Sequence, residues 1–204
     1  MLTSPHRASR GVTLIELAVT ITLLAFLLAA VSPSVVEWIR NTRIRNTATS
    51  IQAGLMKARQ EAVRRNQNIR FSLVSLTNST VMDTSCALSA TGVSWVVSVN
   101  DPAGKCDRGV SDSVDPMIVD KNAGGVGGAT IAVAGRLADD SAVATSVTFN
   151  GFGRVTGASP LGLIKVQDAS SATAYRTLHI AVGSGGTVRM CDPKVTDTAD
   201  PRKC

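Results

Sequence analysis

The chain has 204 residues, of which 44% are hydrophobic and only 3% aromatic, and its formal net charge is +6. This length suits one globular domain plus an additional segment, and a core built mainly from Val, Leu, Ile and Ala. Residues 37–70 carry eight Lys or Arg against two Glu, whereas residues 71–204 carry eleven basic and twelve acidic residues. The basic character therefore belongs to one segment, which excludes a uniformly basic domain.

A long apolar stretch follows a short basic leader at the N-terminus. Residues Leu17–Val36 contain no formal charge, and a membrane-spanning helix needs roughly 20 predominantly apolar residues. Glu16 lies at the N-terminal edge of this stretch, where an unpaired carboxylate costs about 2.5–3.5 kcal/mol by analogy with Asp. Gly11 precedes the stretch, and Arg7 and Arg10 precede Gly11. The pattern predicts a transmembrane helix in which Glu16 has a function.

These residues resemble the signal sequence of type IV pilins and pseudopilins. In that family a prepilin peptidase cuts after the glycine and methylates the new N-terminal residue. The resemblance implies cleavage between Gly11 and Val12 and methylation of Val12, which stands where the family usually has phenylalanine. Glu16 then becomes the fifth residue of the mature chain, the position of the family's glutamate. Pro33 becomes the twenty-second, where many pilins have a helix-bending proline.

The resemblance assigns Glu16 a role in assembly. The pilin glutamate is thought to meet the N-terminal amine of a neighbouring subunit, and a carboxylate in a low dielectric must be paired or neutralised. The alternative is that Glu16 extends to the lipid headgroups. The implied partners are the prepilin peptidase, other minor pilins or pseudopilins, the major pilin and the lipid of the inner membrane.

The helix is predicted to continue past the apolar stretch as far as Arg65. Residues 37–66 contain no proline, and apolar residues recur there at helical steps of three and four: Ile44, Ala48, Ile51, Leu55, Ala58 and Ala62. Pro33 predicts a kink. Gly54 costs about 1 kcal/mol relative to alanine in a helix, which indicates close packing at that position.

The apolar period changes to two after Asn66, which predicts strands. The predicted strands are residues 68–73, 93–96, Thr130–Ala134, Ser146–Asn150, Leu163–Val166, Thr177–Val182 and Thr187–Met190. The stretch Gly183-Ser184-Gly185-Gly186 predicts a hairpin between the last two strands. The segments Thr77–Thr91 and Pro102–Gly128 are rich in Ser, Asp and Gly and are predicted to be loops.

Later segments resemble the GspH/FimT branch of the pilin family: Trp95 in VSWVVSV, the stretch FNGFGRV and the stretch TVRMCDP. The expected fold is α+β and pilin-like, with a long N-terminal transmembrane helix packed on a C-terminal antiparallel sheet domain. The expected organisation is a leader at 1–11, a transmembrane and assembly helix at 12–36, an amphipathic continuation at 37–66 and a periplasmic β-rich domain at 67–204.

Four cysteines follow the apolar stretch: Cys86, Cys106, Cys191 and Cys204. Their even number beyond a membrane anchor predicts disulfides in an oxidising periplasm. Three pairings are possible, and proximity in sequence favours Cys86–Cys106 and Cys191–Cys204. Buried free thiols are the alternative. No C-x-x-C pair is present and the chain has two histidines, so no metal is expected.

The basic residues allow two interpretations. Some FimT-type minor pilins bind DNA through a basic C-terminal motif, and the nearest match to it here ends at Arg189. Lys194, Arg202 and Lys203 would add positive charge in the tail that a Cys191–Cys204 bond closes. The first arginine of that motif is replaced by Thr187. The basic residues that follow the apolar stretch are instead expected to face lipid headgroups or neighbouring subunits.

No catalytic motif is recognised, so neither enzymatic activity nor a cofactor is expected. His179 has no Cys or His at ligand spacing, and the glycine run at 124–128 lacks the Lys-Ser/Thr of a phosphate-binding loop. The sequence therefore predicts a minor pilin or pseudopilin that helps to prime or cap a type IV pilus. It would be a single-pass protein of the inner membrane that later joins the filament. A type II secretion pseudopilin and a pilus-borne DNA receptor are the alternatives.

Overall fold

The computed structural model describes residues 11–125, 128–170 and 174–204, without the side chains of residues 29–33 and 129. The predicted leader at 1–10 lies outside these residues, as does the side chain of Pro33, so its kink stays a prediction. The chain divides into two compact units, Met1–Ile39 and Arg40–Cys204. The second unit contains both the later part of the helix and all of the strands.

The long helix α1 extends over Leu14–Arg65. The apolar face predicted for its second half is fully buried, since its six members from Ile44 to Ala62 have no solvent-exposed surface. The helix ends at Arg65, and the next residue, Asn66, adopts a left-handed conformation with φ of 49°. The amide of Gln67 donates to the carbonyl of Ala62, and that of Asn66 to the carbonyl of Val63. This Schellman arrangement satisfies the last carbonyls of the helix.

Antiparallel strands follow α1 and form two sheets in the described part of the chain. The first sheet has the order β4-β3-β1-β6-β7, with β2 also paired to β1, and the second has the order β10-β9-β8-β5. The strands are β1 (Ile69–Ser75), β2 (Ala87–Leu88), β3 (Ser94–Ser98), β4 (Ile118–Asn122), β5 (Ile131–Arg136), β6 (Ser146–Phe149), β7 (Val155–Thr156), β8 (Leu163–Asp168), β9 (Leu178–Val182) and β10 (Val188–Cys191).

The main core is shared by α1 and both sheets. Some predicted strands contribute buried apolar residues at alternate positions, as in β9, where Leu178, Ile180 and Val182 are buried. Gly54 allows the helix to approach β1 and β3 closely, because a Cβ at this position would lie 2.9 Å from the rings of Phe71 and Trp95. These rings pack with their centroids 5.9 Å apart. The close packing inferred from Gly54 is therefore present.

A second, smaller core lies on the other face of the first sheet. It consists of Val74, Val96 and Ile118 packed with the disulfide between Cys86 and Cys106. The prediction that Thr77–Thr91 and Pro102–Gly128 are entirely loops is wrong at two places, because β2 and β4 lie within them. The disulfide and this small core supply the burial that a Ser- and Asp-rich segment lacks on its own.

Candidate functional site

The predicted cleavage point lies directly before the helix. Gly11 and Val12 precede the first residue of α1 and are exposed. Thr13 caps the helix: its hydroxyl accepts a hydrogen bond from the amide of Glu16 at 3.3 Å, and its carbonyl accepts from Leu17 at 3.1 Å. The bond between Gly11 and Val12 is thus outside the helical hydrogen-bonding pattern, where a peptidase can reach the backbone.

The first half of α1 exposes its apolar side chains. Every large apolar side chain from Val12 to Leu28 is more than half exposed, and those of Leu14 and Phe26 exceed three-quarters. Soluble monomers rarely leave so extended an apolar surface uncovered. These side chains must therefore be covered by apolar groups that do not belong to the first unit.

Glu16 supplies the carboxylate of this apolar segment. Its side chain is exposed, and no partner for its carboxylate is found among the described residues. The nearby hydroxyls are engaged elsewhere: that of Thr20 donates to the carbonyl of Leu17 at 2.9 Å, and that of Thr22 donates to the carbonyl of Ala18 at 3.0 Å. Glu16 thus remains available for a cationic group from another molecule.

Among the helical residues that the structure describes, none forms a stretch both long enough and apolar enough to cross a bilayer. The transmembrane helix expected at residues 12–36 is therefore not found in them.

The four cysteines form two disulfides, Cys86–Cys106 and Cys191–Cys204. These are the two pairings that proximity in sequence favours. The second bond closes the C-terminal tail onto β10, and the amide of Asp192 donates to the carbonyl of Arg202 at 2.7 Å inside the closed loop.

The basic residues predicted in the C-terminal tail differ in their surroundings. Arg189 is exposed on β10. Arg202 forms an ion pair with Asp200 at 2.6 Å, which holds the pKa of Asp200 at about 2. The ammonium group of Lys194 donates to the carbonyl of Tyr175 at 2.9 Å. Three acidic side chains, at 192, 197 and 200, lie among the four basic ones in this tail, so its charge is nearly balanced.

Arg202 lies instead beside two arginines that the sequence analysis did not connect with the tail. Arg45 from α1 and Arg176 from the segment before β9 join Arg202 and Asp192 around a cavity of about 390 Å³. No spacing in the sequence relates these three arginines, because they come from distant segments that only the fold brings together.

Two family models match the chain. The prokaryotic N-terminal methylation motif matches residues 6–32, which include the predicted cleavage point and Glu16. An exposed apolar helix that begins with this motif defines the pilin-like class of proteins. The model of the type II transport protein GspH matches residues 47–186, more than two-thirds of the chain. The chain belongs to the GspH family, as the sequence predicts.

Among solved structures, the chain is similar to two crystal forms of the type IV minor pilin FimU from Pseudomonas aeruginosa. One has 13% identity and covers 76% of this chain and 97% of FimU. The other has 12% identity and covers 77% of this chain and 94% of FimU. The TM-score is 0.44 in both cases. A comparison with curated proteins gives no match.

Proposed function

We propose that the chain is a minor pilin or pseudopilin that a prepilin peptidase cleaves between Gly11 and Val12 and methylates on Val12. The match to the N-terminal methylation motif carries this proposal. It is supported by the exposure of both residues before the helical cap at Thr13. Cleavage would remove the basic leader and leave a new amine on Val12, four residues before Glu16.

The proposed role of Glu16 is to pair with the N-terminal amine of a neighbouring subunit when helices pack together. The energetic reason is that a carboxylate placed in apolar surroundings without a partner is costly, and an amine in hydrogen-bonding range compensates that cost. The absence of a partner for Glu16 among the described residues of its own chain supports an intermolecular role.

The proposed organisation is a leader at 1–11, an assembly helix at 12–36 held in the inner membrane before incorporation, an amphipathic continuation at 37–66 and a periplasmic domain at 67–204. Support comes from the extended apolar surface of the first unit. The two disulfides are further support, since such bonds form in an oxidising compartment.

Within the filament, the proposed role is to prime or cap a type IV pilus together with other minor pilins. The second candidate is a subunit of a type II secretion pseudopilus, which the description of the matched GspH family favours. Deletion of the gene distinguishes them: loss of surface pili supports the first role, and loss of protein secretion with normal pili supports the second.

The test of assembly compares Glu16→Ala with Glu37→Ala in the native host. Glu37 is the acidic residue at the opposite, C-terminal end of the uncharged stretch. We expect both variants to be processed, as measured by the mass of the mature N-terminus. Only Glu16→Ala should be lost from the sheared filament fraction while it persists in membranes. Incorporation of Glu16→Ala at the wild-type level would contradict the proposed role of Glu16. A wild-type chain that still begins at Met1 would contradict the processing.

A further inference from the structure

The turn between β6 and β7 presents an aromatic side chain to solvent. Phe152 is 83% exposed, whereas the other aromatic residues nearby in the fold, Phe71, Phe149 and Trp95, are buried. The chain has few aromatic residues, and leaving a phenylalanine in water gives up the free energy gained by burying it. An exposed phenylalanine of this kind is a candidate contact for a partner.

Hydrogen bonds fix the backbone of this turn. The side-chain oxygen of Asn150 accepts from the amides of Phe152 at 3.0 Å and Arg154 at 3.1 Å. The amide of Gly153 donates to the carbonyl of Asn150 at 2.8 Å. Arg59 of α1 donates from Nε to the carbonyl of Gly153 at 3.2 Å. The backbone at Phe152 is therefore fixed before any partner arrives, which reduces the backbone entropy lost on binding.

Two glycines let the turn lie between the end of α1 and the β9–β10 hairpin. A Cβ at Gly151 would overlap the side-chain oxygen of Asn66, and a Cβ at Gly186 would overlap the carbonyl oxygen of Gly153. Gly186 also has a φ of 82°, which side chains other than glycine rarely adopt. The position of Phe152 is thus determined by contacts on both sides of the turn.

The outward face of α1 extends the apolar surface around Phe152. Met56 and Val63 are 45% and 51% exposed, seven residues apart and on one side of the helix. Val63 lies beside the turn, since its Cγ2 is 3.1 Å from the point that a Cβ on Gly153 would occupy. We call Met56, Arg59, Val63, Phe152 and Arg154 the helix–turn surface.

The charge of the helix–turn surface is positive. Arg59 and Arg154 are both exposed, and none of its five members is acidic. The nearest acidic residue along α1 is Glu61, which is buried and paired with Arg64 and Arg65. The complementary partner surface must therefore offer an apolar pocket edged by carboxylates.

We propose that the helix–turn surface is the docking site for the globular domain of a neighbouring pilin subunit, with Phe152 as its anchor in an acid-edged apolar pocket. The proposal rests on the function proposed above and names the chemistry of the subunit contact. A central aromatic side chain flanked by arginines is the composition typical of residues that dominate binding at protein interfaces. The surface has only two cations, too few for the row of phosphate contacts that a nucleic acid requires.

The experiment places the photoreactive residue p-benzoylphenylalanine at position 152 of the full chain in the native host. The matched control has the same residue at Val143, which is 68% exposed on a different turn. We expect light to join the position-152 variant to another pilin or pseudopilin subunit, identified by mass spectrometry, with little product from position 143. Crosslinks from position 152 mainly to lipid, to nucleic acid or to a second copy of this chain would overturn the proposal, as would equal products from both positions.

Substitutions provide an independent measurement. Phe152→Ser removes the anchor side chain and should lower the amount of this chain in the filament fraction about tenfold. Phe152→Leu keeps a large apolar side chain and should lower that amount by less than about threefold. Equal disulfide formation and protease resistance would show that both variants fold. If Phe152→Ser enters filaments normally while Glu16→Ala does not, the docking proposal fails and the proposed function stands. If the wild-type chain never enters a filament, both fail.

Discussion

Arg40 and Asp168 form an ion pair between α1 and the end of β8, across 128 residues of sequence. Nη1 of Arg40 donates to both carboxylate oxygens of Asp168, at 3.0 and 2.9 Å. Asp168 is 1% exposed, and the guanidinium of Arg40 also lies 5.0 Å from the ring centre of Tyr175. The amide and hydroxyl of Ser170 donate to the same carboxylate. Arg40 is the first residue of the second unit. The ion pair therefore attaches the first residue of that unit's part of α1 to the second sheet.

Substitution of Asp168 by Asn should destabilise the second unit by about 1–3 kcal/mol, because it removes a charged acceptor from a buried position. Urea unfolding of the full chain in detergent, followed by tryptophan fluorescence, measures this change. The control is Asp197→Asn in the exposed tail, where we expect little effect. Equal stability of Asp168→Asn and wild type would contradict the importance of the pair.

The same pair predicts a dependence of stability on pH. Burial opposes ionisation of Asp168, but the hydrogen bonds from Ser170 and Arg40 outweigh it and lower the pKa below its ordinary value of 3.8. Because the pKa is lower in the folded state, the stabilisation from the ionised Asp168 carboxylate is fully present above the ordinary pKa of 3.8. It is lost as the pH falls through the folded pKa. The difference between wild type and Asp168→Asn should therefore be constant near neutral pH and shrink below about pH 4.

Much of the fold follows from local patterns in the sequence. The apolar steps from Ile44 to Ala62 predict the buried face of α1, because a helix packed on one side must repeat its apolar residues every three or four positions. The alternation in β1, β8 and β9 likewise predicts strands with one face in the core. These elements carry their own periodic signal over four or more residues.

Other features depend on contacts between distant segments. β2 and β7 have two residues each, too few for any period. β4 begins with Ile118 and Val119 but continues with charged residues, so its burial comes from β3 and the Cys86–Cys106 disulfide. Phe152 lies in a turn that the sequence predicts, but its exposure results from packing of Gly151 on Asn66 and of Gly186 on Gly153. No local pattern reports such contacts.

Glu61 is the centre of a charged cluster on α1 and should contribute to acid sensitivity. Hydrogen bonds from Arg64 oppose the effect of burial and, with those from Arg65, lower the pKa of Glu61 from 4.5 to about 2. Glu61→Gln should cost about 1–2 kcal/mol at neutral pH, since its partners are partly exposed. The difference from wild type should disappear as the pH falls from about 4.5 to about 2.

The control for this cluster is Asp112→Asn. Asp112 also contacts Arg65, but its side chain is 77% exposed, so its ion pair should contribute little. Chemical unfolding at pH 7 and at pH 3 measures both variants. A larger loss of unfolding free energy for Asp112→Asn than for Glu61→Gln would show that burial does not determine how much each ion pair in this cluster contributes to stability.

Gly54→Ala should destabilise the second unit although alanine favours helices. The gain in helix propensity is about 1 kcal/mol. The new methyl group would lie 2.9 Å from both Phe71 and Trp95, and such overpacking typically costs about 1–3 kcal/mol. The expected net effect is a lower melting temperature and an altered near-ultraviolet circular dichroism spectrum. The neighbouring exposed position gives the control, since Ala53→Gly should lose only the propensity difference. A higher melting temperature for Gly54→Ala would contradict the packing.

The two disulfides should differ in their contribution to stability. Cys86 and Cys106 are both buried and pack with Val74, Val96 and Ile118, so the double substitution Cys86→Ser/Cys106→Ser removes a crosslink and also places two hydroxyls in an apolar cluster. Of the second pair only Cys191 is buried, so Cys191→Ser/Cys204→Ser opens the tail and places a single hydroxyl at a buried position. Loss of the Cys191–Cys204 bond should cost about 2–4 kcal/mol by the entropy of loop closure, and loss of the Cys86–Cys106 bond should cost more.

Melting temperatures of the two double variants test this order. Limited proteolysis should then cut the tail in the second variant while the strands remain intact. A more stable Cys86→Ser/Cys106→Ser variant would show that the smaller core does not depend on its crosslink.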